Sequence, residues 1–171
     1  MALLEILTAP DPRLLAKAHP VEKVDSGIRK LMDSLLETLY YNDGVGLAST
    51  QVGISKRIVV IDLGERNGIP FKPLLMANPE LQWFSVDTQI TKEGCLSVPG
   101  FYENVIRSLE VRVSYTDENN QKQLLEARGL LADCLQHEID HLNGVLFIEH
   151  LSALKRNLIL NKLRKEIRKK R

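Results

Sequence analysis

Residues 129–144 read GLLADCLQHEIDHLNG, and the hexad QHEIDH at residues 136–141 within them decides what the chain is built around. Leu130, Leu131, Leu135 and Leu142 recur at helical spacing between an opening Gly129 and a closing Asn143-Gly144 pair, which predicts a helix. Positions i and i+4 share a helix face. His137 and His141 can therefore grip one metal ion, and Glu138 can take a proton on the ion's open side. Read blandly, the same hexad is a surface helix with two solvated histidines. A catalytic metal usually takes three protein ligands and leaves one position open; the hexad offers two.

Strand signals lie on both sides of the chain's midpoint. Arg57 to Leu63 (RIVVIDL) is a compact, β-branched run and predicts a buried strand. Leu74 to Ala77 and Leu81 to Thr91 predict two more. Glu110 to Thr116 alternates, with Val111, Val113 and Tyr115 on one face; a turn over Asp117 to Asn120 and a strand over Gln123 to Ala127 complete a hairpin. Gly64 to Pro73 carries turn signals. Residues 9–24 are broken by prolines and read as loop. Asp25 and Ser26 open a first helix through Ile28, Leu31, Leu35 and Leu39, ending near Asn42-Asp43-Gly44. A last helix runs from about Ser152. The expected fold class is α+β: mainly antiparallel strands around a central metal-binding helix, with an N-terminal helix and a C-terminal helix. No internal repeat or low-complexity linker divides the chain, so one domain is expected over residues 1–171, with a basic helix over about 152–171.

The composition, 44% hydrophobic and 26% charged over 171 residues, is that of a globular protein able to bury a core without staples. Charge is unevenly spread. Of 23 basic and 22 acidic residues, nine bases and one acid (Glu166) lie between Lys155 and Arg171, a net +8 on the tail and −7 on the rest. Residues 1–25 lack a basic region followed by an unbroken apolar run, since Glu5, Pro10, Asp11 and Pro12 interrupt them. They read as neither signal peptide nor transit peptide, and no apolar stretch is long enough to span a membrane. A reducing compartment is expected, where Cys95 and Cys134 are metal ligands or core residues rather than a disulfide.

Candidates for the third ligand lie in both directions. Downstream stand Glu149, His150 and Glu166, with no pattern around them. Upstream, Glu93 to Ser97 (EGCLS) sets Cys95 beside a glycine at the end of a strand. A thiolate is a strong, soft ligand; by itself, however, Cys95 reads sooner as a small buried apolar residue than as a ligand. Gly44 to Gln51 (GVGLASTQ) lacks the preceding strand and the lysine of a phosphate loop. Its alternative use is a backbone strip open to close approach, followed by an amide donor, Gln51.

Taken in order, GVGLASTQ, EGCLS and QHEIDH resemble the peptide deformylase family, over Gly44 to His141 and with flanking helices in that family's places. The resemblance implies a hydrolase that removes the N-formyl group from the initiator methionine of new polypeptides. It implies one divalent metal on Cys95, His137 and His141, Fe(II) natively, with Zn, Ni or Co able to occupy the site. It implies Glu138 as general base, and the Gln51 side-chain amide and Leu96 backbone N–H as oxyanion donors. Backbone groups of Val45 and Gly46 would pair with extended substrate and Gly100 would flank it. Val45, Leu130, Cys134 and His137 would line the methionine pocket, although Cys134 reads equally as a plain core residue.

Around that site, Glu93 and Arg107 are expected to form a buried ion pair, and Gln136 and Asp140 to orient neighbours. His19 and His150 read as ordinary loop or surface residues. Ser49 and Thr50 depart from the family, which often has Ala and Pro there, without removing a ligand. Asp133 either disfavours acidic residues after the methionine or faces water. On the last helix Leu154, Leu158, Leu160, Leu163 and Ile167 form a stripe expected to dock on the body. Lys162, Arg164, Lys165 and Arg168 to Arg171 are left to water or to ribosomal RNA. Formylated substrates and the absence of a transit segment point to a bacterial cytoplasm, no membrane is implicated, and a monomer is favoured. Two rivals remain. A zinc peptidase requires a downstream ligand and is indifferent to Cys95. A metal-stabilised RNA-binding module requires a closed site, with Cys134 joining, and has no need of Glu138.

Overall fold

In the computed structural model, which describes residues 3–66 and 68–170, the Asp25 side chain accepts from the Ile28 N–H at 2.9 Å and starts helix α1, Ser26–Tyr41. That bond satisfies one of the N–H groups left free at a helix start. Ile28, Met32, Leu35 and Leu39 are buried along one face. The helix ends at Asn42, as its sequence predicts, and the glycine-bracketed segment after it becomes strand β1, Gly46–Ala48.

β1 is the edge of a five-stranded antiparallel sheet. The others are β2 (Ile58–Ile61), β5 (Leu74–Phe84), β8 (Glu110–Thr116) and β9 (Lys122–Arg128), in the order β1-β2-β5-β8-β9. A short hairpin of β3 (Glu65–Arg66) and β4 (Ile69–Pro70) fills the predicted turn region. A separate long hairpin is made of β6 (Thr88–Cys95) and β7 (Val98–Ser108). Every residue of β2 is buried, which its uninterrupted apolar run required.

Leu81 to Thr91 is not one strand: β5 runs unbroken from Leu74 to Phe84, and the chain turns at residues 85–87 instead. The Asn78-Pro79 pair, a turn signal locally, is absorbed as a bulge. Asn78 takes φ +51°, the ladder to β8 shifts between Ala77 and Glu80, and the Asn78 side chain donates to the Val21 carbonyl (2.8 Å) and accepts from its N–H (2.9 Å). Strand β7 has no counterpart in the sequence reading, because Pro99-Gly100 and a mixed polar pattern hide it; its ladder is supplied by β6.

The helix containing QHEIDH, α2 (Leu130–Leu142), contacts β1, β2, β5 and β9 on one side and β7 on another. It stands between the sheet and the hairpin. Leu135, Ile139 and Leu142 pack with Val59, Ile61, Met76, Val111 and Val113 in one buried cluster. The last helix, α3 (Ala153–Lys169), is capped by Ser152 as expected. It docks through Ile159 and Leu163 beside Val98, Val105 and Phe147. The expected apolar stripe docks only in part: Leu154 and Leu158 are exposed, while Leu160 is partly covered. Arg171 of the basic run lies outside the described residues. No helix among the described residues is long and apolar enough to cross a membrane.

Candidate metal centre

Helical spacing brings the Nε2 atoms of His137 and His141 to 3.2 Å from each other. Strand β6 delivers the third group at its last residue, with Cys95 Sγ 3.3 Å from His141 Nε2. One ligand atom from each residue lies within 4.8 Å of the other two. The ladder is irregular between Glu93 and Cys95, and the chain turns through Leu96 and Ser97 before β7 begins. Gly94 is required by this path, because a Cβ there would sit 2.4 Å from the Tyr102 ring. The downstream candidates are engaged elsewhere: Glu149 with Arg156, Glu166 with Lys169, and His150 with Asp140. The peptidase reading thus lacks its ligand.

His137 Nδ1 lies 2.8 Å from Glu93 Oε1. A carboxylate there accepts the Nδ1–H and leaves Nε2 free to bind metal. Arg107 forks onto Glu93, Nε to Oε2 at 2.6 Å and Nη2 to Oε1 at 2.9 Å, which is the expected buried pair. Burial opposes the Glu93 charge, but the bonds from Arg107 and then His137 outweigh it and hold its acid well below the usual range. Burial pushes the pKa of His141 well below that of a free imidazole, so it is neutral with a lone pair to offer. Two imidazole nitrogens and a sulfur converging in this way suit a divalent transition metal. Gln136 exchanges bonds with the Ser108 backbone at 2.9 and 3.1 Å and fastens α2 to β7.

Glu138 is 4% exposed, and its Oε2 has no hydrogen-bond partner among the described residues. Burial raises its acid to about 7. Gly46 makes room for it: a Cβ at that position would lie 2.6 Å from Glu138 Oε1. After β1 the chain tightens into a helical turn, Ser49–Val52. Gln51 Oε1 accepts from the Ala48 N–H at 2.9 Å, which turns its Nε2 toward Ser97 Oγ (3.1 Å) and Cys95 Sγ (3.4 Å). The departures at 49 and 50 make bonds of their own. The Ser49 hydroxyl donates to the Lys56 carbonyl, and that of Thr50 to the His141 carbonyl at 3.2 Å.

A cavity of about 490 Å³ opens onto the cluster, and Val45, Gly46, Leu96, Gly100, Leu130 and Cys134 line it together with Cys95, His137 and Glu138. Gln51 and His141, each 1% exposed, stay off its wall. The Val45 carbonyl already accepts from the Asp62 N–H at 2.9 Å. Within β1, strand alternation turns the polar groups of Gly46 toward the free edge. Cys134 is not among the clustered ligands; burial raises its thiol to about 12, so it is a neutral wall residue. That removes the fourth ligand of the closed-site reading. Asp133 does not face water. It is buried on the cavity wall, 3.7 Å from Arg107 Nε, and burial followed by the neighbouring Glu93 raises its acid to about 7. His150 is at the surface, as expected, and its Nε2 lies 2.8 Å from Asp140 Oδ2. No local spacing signals that contact.

Residues 3–157 match the family model described as polypeptide deformylase. A peptide deformylase of Azotobacter vinelandii is 51% identical over 168 residues, 98% of each chain. One from Methylocella silvestris is 50% identical over 167 residues, 96% of this chain and 85% of that one. The crystal structure of peptide deformylase from Ehrlichia chaffeensis superposes with a TM-score of 0.94 at 41% identity, covering 99% of both chains. A second structure from that organism, in complex with actinonin, gives 0.92 at 44% identity over 97% of this chain and 98% of that one.

Proposed function

The chain belongs to the polypeptide deformylase family, and from that premise we propose which of its residues carry the reaction and in what roles. The activity is hydrolysis of the N-formyl group from the N-terminal formylmethionine of newly synthesised polypeptides, releasing formate. The observation that carries the assignment of roles is the convergence of Cys95, His137 and His141 beside a buried, unpartnered Glu138 on one cavity.

Cys95, His137 and His141 hold one divalent metal, and the native ion we propose is Fe(II), with Zn, Ni or Co able to take its place. Bound there, the ion supplies Lewis acidity and makes water easier to deprotonate. Glu138 accepts the proton of the attacking water and returns it to the leaving amine nitrogen. An acid near neutrality suits both halves of that cycle. Gln51 Nε2 and the Leu96 N–H donate to the developing oxyanion; the Gln51 amide is already oriented by Ala48. The substrate backbone adds along the free edge of β1 at Gly46, and Gly100 borders it on the opposite wall. Leu130, Cys134, His137 and the Val45 side chain receive the methionine.

We further propose that residues 1–171 act as one catalytic unit, monomeric, in a bacterial cytoplasm. Exposed Lys162, Arg164, Lys165 and Arg168 to Lys170 on α3 are taken as a face for ribosomal RNA, with attraction that weakens as salt rises. The deciding assay compares formyl-Met and acetyl-Met peptides with metal-loaded enzyme. Release of formate from the first with the second left intact is expected; equal turnover of both, or cleavage of an internal peptide bond, would refute the assignment.

A further inference from the structure

His150 is the outer end of an unbroken hydrogen-bonded chain that reaches a metal ligand. Its Nε2 lies 2.8 Å from Asp140 Oδ2, and the same oxygen accepts from Arg107 Nη1 at 2.9 Å. The remaining nitrogens of the guanidinium fork onto Glu93, whose Oε1 lies 2.8 Å from His137 Nδ1. Side-chain exposure falls along the chain, from 37% at His150 through 25% at Asp140 to 4% at Arg107 and 3% at Glu93.

The geometry makes each link depend on the one outside it. A guanidinium is planar, with its donors in a fixed fork. Whatever holds Nη1 therefore sets the plane that Nε and Nη2 present to Glu93. Asp140 holds Nη1, and it does so best as a fixed carboxylate. Its Oδ2 is held in turn between His150 Nε2 and Arg107 Nη1. The segment carrying His150 also touches the ligand directly. His150 closes the helical turn Phe147–His150, and the Phe147 ring stacks on that of His137 with centroids 6.1 Å apart and planes at 23°.

We propose that His150 is a positioning residue for the metal centre: by donating from Nε2 to Asp140 it fixes the Arg107–Glu93 pair that orients His137, and so slows loss of the metal. The inference rests on the metal-centre reading above but not on the catalytic roles of Glu138, Gln51 or Leu96. It separates His150 from the ordinary surface histidine that its sequence context suggests.

The test uses the full chain loaded with Zn(II), as wild type, His150→Ala and His150→Gln. Each is challenged with excess chelator at fixed pH, metal release is timed, and thermal unfolding is recorded in parallel. A glutamine amide can present an N–H where histidine presents Nε2–H. His150→Ala should release metal about tenfold faster, the lower end of what losing an outer partner of a ligand costs. His150→Gln should stay close to wild type. Release from His150→Ala at the wild-type rate overturns the proposal, even if its unfolding temperature falls. So does a His150→Gln variant as fast as the alanine variant. A wild-type chain that takes up no Zn(II) at the loading step would instead overturn the metal-centre reading beneath it.

Discussion

Glu138 shows how one side chain is tuned by its surroundings. It is buried, its Oε2 lacks a partner, and its acid is raised to about 7. A bound cation adds attraction for the carboxylate and moves that value down. Since the carboxylate is the working form, kcat/KM should fall as pH drops through about 7 or somewhat lower; a profile that rises toward acid would contradict the role. Glu138→Ala should lose about 10²–10⁴ in turnover, the usual worth of a positioned base, while metal analysis still finds one ion per chain. Gly46→Ala tests the same carboxylate from outside, because the new Cβ would overlap Oε1. A displacement near 1 Å costs about 10²-fold, so we expect kcat/KM to drop by about that factor with metal content unchanged. Asp133 carries a different consequence. Its acid rises from 3.8 to about 7 on folding, so the stability it lends is complete below about pH 4 and is lost as pH rises through 7. Asp133→Asn should therefore gain on wild type between those limits, by at most about 3 kcal/mol after allowance for solvent screening. Urea midpoints at pH 5 and pH 8 would show a larger offset at pH 8; equal offsets would rule the shift out.

Among the elements, those with a strong period were legible and those held by partners were not. Strand β8 and helix α2 match their predicted spans because alternation in EVRVSYT and 3.6-residue spacing in 130–142 reflect burial on one side. Strand β7 escaped because its residues make a strand only against β6. The run 74–84 was split because Asn78-Pro79 punctuates locally, while the Val21 backbone and the β8 ladder stabilise a bulge there. Helix α3 was located, and its facing was read correctly at Leu160, Leu163 and Ile167 but not at Leu154 and Leu158. Leu163 meets the body as expected, Ile159 joins it, and Leu154 and Leu158 are left exposed. Its basic face gives an element-level prediction. Neutralising Lys165 and Arg168 to Arg171 should weaken co-sedimentation with ribosomes at low salt and leave deformylation of short peptides intact. Unchanged co-sedimentation would count against docking.

For the molecule as a whole, the site is a joint between two sheets. The hairpin β6–β7 brings Cys95 and the Glu93–Arg107 pair; helix α2 brings His137, Glu138 and His141; β1 and the turn after it bring Gly46 and Gln51. The order of the three motifs identified the family, and the ligand types and the helical i, i+4 pair identified the metal chemistry, because such features depend on neighbours in the chain. Contacts across the chain were not readable in that way. The bond from His150 to Asp140, the burial of Asp133, the Asp62 N–H that occupies the Val45 carbonyl and the lean of the Gln51 amide onto Cys95 each depend on where separate elements come to rest. Sequence periodicity records which face of an element is buried. It does not record which polar group waits on the other side, and packing between α2, β1 and the β6–β7 hairpin decided that.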